Sequence, residues 1–251
     1  MAKKPLPQRV LALGATSAIA EATLRLLAEQ GASFFLVGRN AGKLAAVRDD
    51  LVTRGAQAAT VCVLDLDDTS AHPAMLNQAL AALGGIDLAL LAHGILGEQA
   101  EAQRDFNAAH HILHTNFISA VSLINALANY FEAEHRGTLA VISSVAGDRA
   151  RKSNYIYGAS KGALNLVLDG LRHRLHGSGV QVLTIKPGFV STPMTAHLPP
   201  GPLFASPAEV ARDILNAIQA GKSVVYTPHF WAAIMFAVRN TPAWLFHKTS
   251  M

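Results

Sequence analysis

The sequence predicts an α/β fold, a doubly wound parallel sheet of seven strands with helices on both faces. Three observations carry this expectation. Short apolar runs alternate with longer segments of helical period along the whole chain. The first run, Arg9-Val10-Leu11-Ala12-Leu13, feeds into Gly14-Ala15-Thr16-Ser17-Ala18-Ile19-Ala20 and then a helical pattern over 21–30. Strand, tight turn and helix in that order place a helix N-terminus where phosphate binds. Hydrophobic residues make up 51% of the chain and charged residues only 15%, as a sheet buried on both faces requires.

Strands are expected at 9–13, 33–37, 58–64, 88–92, 138–143, 181–185 and 223–226, with helices between them. Right-handed crossovers then gather the functional residues at the carboxyl edge of the sheet. The 251 residues suit one catalytic domain spanning 1–251, because α/β folds often form a single core at this size. No internal repeat, linker or low-complexity segment interrupts it.

The formal charge of +4 fits an anionic cofactor. The basic residues are scattered, and a nucleic-acid partner is not expected. Cys62 is the only cysteine, which excludes an intrachain disulfide and marks it as an apolar strand residue. Met1-Ala2-Lys3-Lys4-Pro5 has two lysines but no apolar run before the first strand. It does not read as a signal peptide, so the expected location is cytoplasmic, with the inner membrane surface as the alternative.

Chemistry concentrates at Tyr157 and Lys161, four residues apart and thus on one helix face, thirteen residues after Ser144 at the end of a buried strand. A neighbouring cation favours the phenolate, so Tyr157 is expected to exchange a proton with a carbonyl or alcohol oxygen near neutral pH. Tyr155 has no lysine at that spacing. Ser143 and Ser144 should point in opposite directions along the strand.

Together these residues resemble the short-chain dehydrogenase/reductase family over nearly the whole chain. The family pattern meets Gly14, Asp65, Asn116, Ser144, Tyr157 with Lys161, Pro187-Gly188 and Thr192. Two departures are Ala18 and Ala20 in the glycine turn and Leu91-Ala92-His93-Gly94 in place of Asn-Asn-Ala-Gly. The resemblance implies a Rossmann-type sheet of order 3-2-1-4-5-6-7. It implies a catalytic set of Asn116, Ser144, Tyr157 and Lys161. Ser144 would hold the substrate oxygen and Tyr157 would protonate it. Lys161 would favour the phenolate and bond the nicotinamide ribose, and Asn116 would organise a water beside the lysine.

For the cofactor, the resemblance implies contacts from Gly14, Thr16, Ser17, Ala18 and Ile19 at the first turn and from Asp65 and Leu66 at the adenine. Ala92 and Gly94 would follow after the fourth strand, with Tyr157, Lys161, Pro187, Gly188, Val190 and Thr192 at the nicotinamide. At the end of the second strand a carboxylate would favour NAD. Gly38-Arg39-Asn40 has none, and Arg39 offers a forked cation suited to a 2′-phosphate. NADP is therefore expected, with NAD as the alternative. Lys43, one turn on, either adds charge there or is a solvated helix residue, and Asp67 and Asp68 read as a helix-start cap and loop charges. The family also implies a homodimer or homotetramer, joined through its fourth and fifth helices.

The stretch 188–205 is expected to form a substrate lid, with 193–204 a loop without regular structure. Met194, Leu198, Leu203 and Phe204 in it either face an apolar carbonyl or alcohol substrate or tether the loop. The apolar segment 228–248 carries both tryptophans, and its first apolar run, 229–239, is about half the length of a bilayer span of about 20 residues. It either covers the pocket or a subunit contact, or lies in a membrane interface with Phe230, Trp231 and Trp244 at headgroup level. This segment, the Ala-rich turn and Ala92-His93-Gly94-Ile95-Leu96-Gly97 are also similar to reductases of polyprenyl-phosphoryl ketopentoses. His110, His111 and His114 share helix spacing, but no Cys, Asp or Glu accompanies them and no metal is expected. The leading function is an NADP-dependent carbonyl reductase or alcohol dehydrogenase. The alternatives are a cofactor-binding regulator with little turnover and a membrane-surface interaction protein.

Overall fold

The computed structural model describes residues 4–199 and 201–249. Met1, Ala2 and Lys3 of the amino-terminal segment and Pro200 of the expected lid lie outside the described residues. The strands are β1 (Arg9–Leu13), β2 (Ser33–Gly38), β3 (Ala58–Val63), β4 (Leu88–Leu91), β5 (Thr138–Ile142), β6 (Gln181–Pro187), β7 (Phe189–Val190), β8 (Phe204–Ala205) and β9 (Val224–Thr227). The helices are α1 (Ala18–Ala28), α2 (Ala41–Thr53), α3 (His72–Leu83), α4 (Gln99–Ala102), α5 (Phe106–Leu113), α6 (Ser119–Glu134), α7 (Tyr155–Arg174), α8 (Pro207–Gln219), α9 (Trp231–Asn240) and α10 (Ala243–Phe246).

Seven strands form one sheet of order β3-β2-β1-β4-β5-β6-β9, and every neighbouring pair is parallel. This is the Rossmann-type order implied above, with β9 as the seventh strand. Successive side chains of β1 serve opposite faces, as the period of two dictates. Val10 and Ala12 pack with Leu24, Leu27, Leu44 and Ile214 from α1, α2 and α8. Leu11 and Leu13 pack with Met75, Leu123, Leu127 and Leu164 from α3, α6 and α7. Each fully buried leucine contributes about 1.5–3 kcal/mol relative to exposure.

Local sequence sets several boundaries. Ser206-Pro207-Ala208-Glu209 opens α8 as a capping box. The Ser206 hydroxyl accepts the Glu209 N–H at 3.2 Å, and the Glu209 carboxylate accepts the Ser206 N–H at 2.7 Å. Asp68 likewise caps the short turn after β3, accepting from Ser70 N–H at 3.1 Å. Between α5 and α6 the backbone widens into a π segment over His114–Ile118. The run Phe106–Glu134 is long and apolar enough to cross a membrane, but its Leu123, Ile124 and Leu127 belong to the core beneath the sheet.

Two expectations need correction. The loop 193–204 is not free of regular structure, because its last residue opens β8, which pairs in parallel with β7 so that Phe189 lies opposite Phe204 and their rings stack at 5.3 Å. A 3-10 turn, Pro193–Thr195, lies between them. Trp231 does not face outward at a membrane interface. It is 5% exposed and packs with Val145, Met235 and Phe189. Its indole demands the glycine beneath it, since a Cβ on Gly188 would lie 1.9 Å from Trp231 Nε1.

Candidate active site

A cavity of about 680 Å³ runs along the carboxyl ends of the central strands. A smaller one of about 190 Å³ adjoins it. Thr16, Ser17, Ala92, His93 and Gly94 line both. The pair sits where the strand order reverses between β1 and β4, the position at which open α/β sheets bind ligands.

The first turn is shaped by one glycine. Gly14 has φ 83°, and a Cβ there would lie 2.6 Å from His93 N, so the two strand ends close on each other only because position 14 has no side chain. Ala18 opens α1 and Ala20 lies within it. Neither has positive φ, so the two alanines suit the helical backbone they occupy. Ser17 precedes the helix in extended geometry with no side-chain capping bond. The N-terminal N–H groups of α1 thus face the larger cavity without a side-chain acceptor, a fit for pyrophosphate.

At the other end, Ser144 leaves β5 in extended conformation, and its Oγ accepts the Ala146 N–H at 3.1 Å. Ser143 turns the opposite way and donates to Asn165 Oδ1 at 2.6 Å. Tyr157 and Lys161 rise from the first two turns of α7 toward the same cavity. The lysine is 4% exposed and donates to the Ile142 carbonyl at 3.1 Å. Burial drives its pKa down to about 8.

The phenol differs from expectation. Burial raises the Tyr157 pKa, a hydrogen bond with Ser144 and the charge of Arg151 oppose that rise, and Lys161 is not among its perturbing charges. The ammonium stands 6.0 Å from the phenol ring centroid, anchored to the strand end. Desolvation therefore outweighs the cations in the free protein.

Asn116 lies in the π segment and lines neither cavity. Its Oδ1 accepts from Ile95 N–H at 2.8 Å, and its Nδ2 donates to Ile95 O at 2.8 Å and to Ser160 Oγ at 3.1 Å. It clamps the loop after Gly94 to α7, and a Cβ on Gly94 would meet both Asn116 Oδ1 at 2.9 Å and Lys161 Nζ at 3.4 Å.

Gly14, Arg39, Asp65 and Leu66 line the smaller cavity. Ala18, Ile19, Pro187, Gly188, Val190 and Thr192 line the larger one. Arg39 is exposed, its guanidinium 3.7 Å from Asp65. Lys43 lines the larger cavity beside Glu21, Arg25 and Asp50. That acidic and basic cluster escaped the sequence reading, although Glu21 and Arg25 stand at i,i+4 spacing directly after the turn. Burial raises the Glu21 carboxyl pKa.

His93 is a wall of both cavities. Its Nε2 lies 3.2 Å from Ser119 Oγ, whose one proton goes to Leu66 O, so the imidazole donates through Nε2 and Nδ1 carries the free lone pair. Burial first, then the charge of Lys161, pushes its pKa down to about 3, and it stays neutral near pH 7. His114 is committed to the Asp67 carbonyl at 2.9 Å. Asp67 itself accepts from the Thr115 hydroxyl at 2.7 Å. Among the described residues no group of three or more His, Cys, Asp or Glu is placed to hold a metal.

Arg149 also escaped notice in the sequence. Its guanidinium donates to the carbonyls of Val238 and Thr241, each at 2.5 Å, and lies 3.8 Å from the Phe246 ring centroid. It fixes α9 and α10 against the loop that follows Ser144.

Comparison with known proteins agrees with this architecture. The short chain dehydrogenase family matches residues 8–202. An uncharacterized oxidoreductase of Mycobacterium tuberculosis is 39% identical, covering 95% of this chain and 96% of that protein. One from Streptomyces coelicolor is 37% identical, covering 96% of each. In fold, the crystal structure of levodione reductase superposes with a TM-score of 0.81 at 20% identity, covering 89% of this chain and 97% of that one.

Proposed function

This chain belongs to the short chain dehydrogenase family, and we propose that it is an NADP-dependent carbonyl reductase or alcohol dehydrogenase acting on an apolar small molecule. As a family member it is an oxidoreductase that uses a nicotinamide dinucleotide. The observation that carries the finer proposal is the convergence of Ser144, Tyr157 and Lys161 on the wall of one cavity that also contains the N-terminus of α1 and the Pro187-Gly188 turn.

When bound, the cofactor supplies or accepts the hydride exchanged at the carbon of a carbonyl or alcohol. The residues manage the charge that this places on oxygen. Ser144 Oγ is held by the Ala146 N–H and bonds Tyr157, so its hydroxyl stands beside the phenol where it can donate to the substrate oxygen. Tyr157 keeps its proton in the free protein because burial raises its pKa, which suits it as the acid in carbonyl reduction. Lys161 supplies a cation held in place by the Ile142 carbonyl, and Asn116 ties Ile95 to Ser160, the residue before the lysine.

Specificity for NADP rests on Arg39 at the end of β2, where its exposed guanidinium has only a loose partner in Asp65, and the nearest turn offers Lys43. Ile142, Val190 and Met194 in the wall favour an apolar substrate. Exposed Ile118 and Leu166, from the π segment and α7, suit a homodimer or homotetramer contact there.

Titration with NADPH and NADH by fluorescence, followed by turnover with a panel of ketones and aldehydes, tests the proposal. NADPH is expected to bind more tightly and to be oxidised with at least one apolar ketone. Equal affinity for the two would remove the NADP assignment, and binding without turnover across the panel would favour a regulatory role.

A further inference from the structure

α9 is apolar on two sides. Trp231, Ile234, Met235 and Val238 form one stripe, which packs on the core. Phe230, Ala233, Phe236 and Ala237 form the other, which no described residue covers: Phe236 is 73% exposed. Trp244, 67% exposed, and Leu245 continue this outer surface onto α10, which Arg149 holds rigidly at the end of α9. A helix apolar all round belongs inside something, and a contiguous apolar surface of this kind marks an interaction site.

Basic residues stand on this surface: Arg239 lies in the last turn of α9 and Lys248 follows α10, and from Ile214 onward the sequence has no Asp or Glu. Lys248 Nζ sits over the Trp244 ring, 5.8 Å from its centroid, so cation and indole share this surface. A second copy docked through a two-fold axis centred on this face would set its basic residues against their own counterparts. A lipid surface supplies the missing phosphates.

We propose that the outer face of α9 and α10 docks on an anionic phospholipid bilayer, with Phe236 and Trp244 entering the headgroup boundary and Lys248 meeting lipid phosphate. Indole at the interface and lysine above it is the arrangement that interfacial helices use. Docking sets the catalytic cavity beside the lipid, because the inner face of the same helix rests on Phe189, with rings 5.4 Å apart, and Phe189 stacks on Phe204 of the lid. This docking stands independently of the hydride-transfer proposal.

The test uses the full chain and vesicles of phosphatidylcholine alone or mixed with phosphatidylglycerol, with sedimentation and tryptophan emission as readouts. We expect at least about five-fold more protein bound to the anionic vesicles, released by high salt. A blue shift on binding should vanish in Trp244→Phe, because the other tryptophan, Trp231, is already buried. The double variant Phe236→Ser/Trp244→Ser should lose binding about ten-fold while its cofactor affinity by fluorescence stays unchanged, which shows that it is folded. Failure of the wild type to sediment with anionic vesicles overturns the proposal, as does equal binding by the double variant. So does conversion of a dimer to a monomer by the double variant without vesicle binding by the wild type, which would assign the face to a second copy.

Discussion

The two ends of the cleft handle charge in opposite ways. At the β2 end, Arg39 and Asp65 are both exposed and 3.7 Å apart, and solvent screens them. At the β5 end, Lys161 is buried with a carbonyl as its partner, and Tyr157 and His93 are driven from their ordinary titration ranges by the same desolvation. Exposed charge suits recognition of a ligand that brings its own countercharge. Buried, shifted groups suit proton transfer. The difference separates what selects the cofactor from what performs the chemistry, and substitutions at each end should fail in different ways.

The largest effect is expected at Tyr157. Tyr157→Phe should lower turnover by roughly 10²–10⁴-fold, the usual range for a general acid, with cofactor affinity nearly unchanged in a fluorescence titration. Weakened binding with retained turnover would place Tyr157 with the recognition end.

Next is the pH dependence of stability at Lys161. Its folded pKa, about 8, lies below the unfolded value near 10.4. Between these values the unfolded chain binds more protons, so stability rises with pH across about 8 to 10.4 and falls as pH drops through the folded value. Compared with Lys161→Met, the wild type should gain on the order of 3 kcal/mol over that window, read from urea denaturation at each pH. A flat difference would mean that the ammonium is solvated and the contrast between the two ends is smaller than described.

Gly188→Ala tests how the carboxyl-terminal helix closes the buried end. The added methyl meets the rigid indole of Trp231, not a flexible tip, and overpacking of about 1–3 kcal/mol should lower Tm by roughly 2–10 °C. Trp231→Leu should restore part of the loss. The smallest effect is expected at the exposed end, where Arg39→Ala should weaken NADPH by about 5–10-fold and leave NADH almost unaltered. Equal losses for both cofactors would show that Arg39 does not read the phosphate.

The sheet was legible because its strands are short apolar runs separated by helical periods, and the observed strands begin and end within a residue or two of expectation. β7 and β8 were not, since two-residue strands carry no period. Residues of the cofactor and catalytic sets named from the sequence lie along one cleft, except Asn116, which stands behind it. Its hydrogen bonding depends on a π segment that leaves no mark in composition. The direction of α9 was hidden because both of its faces are apolar, and the choice between them is made by a glycine 43 positions earlier, Gly188 beneath Trp231. The lysine was expected to lower the pKa of Tyr157. Burial of the phenol, which sequence spacing does not reveal, reverses the sign.

The central claim is that this cleft exchanges hydride between a nicotinamide ring and a carbonyl carbon. Supplying NADPH deuterated at the transferring position, with an apolar ketone, and analysing the product by mass spectrometry tests it most directly. The account predicts one deuterium on the carbinol carbon with wild-type protein and little labelled product with Tyr157→Phe. An alcohol formed without the label, or labelled product at undiminished rate from the variant, would contradict it.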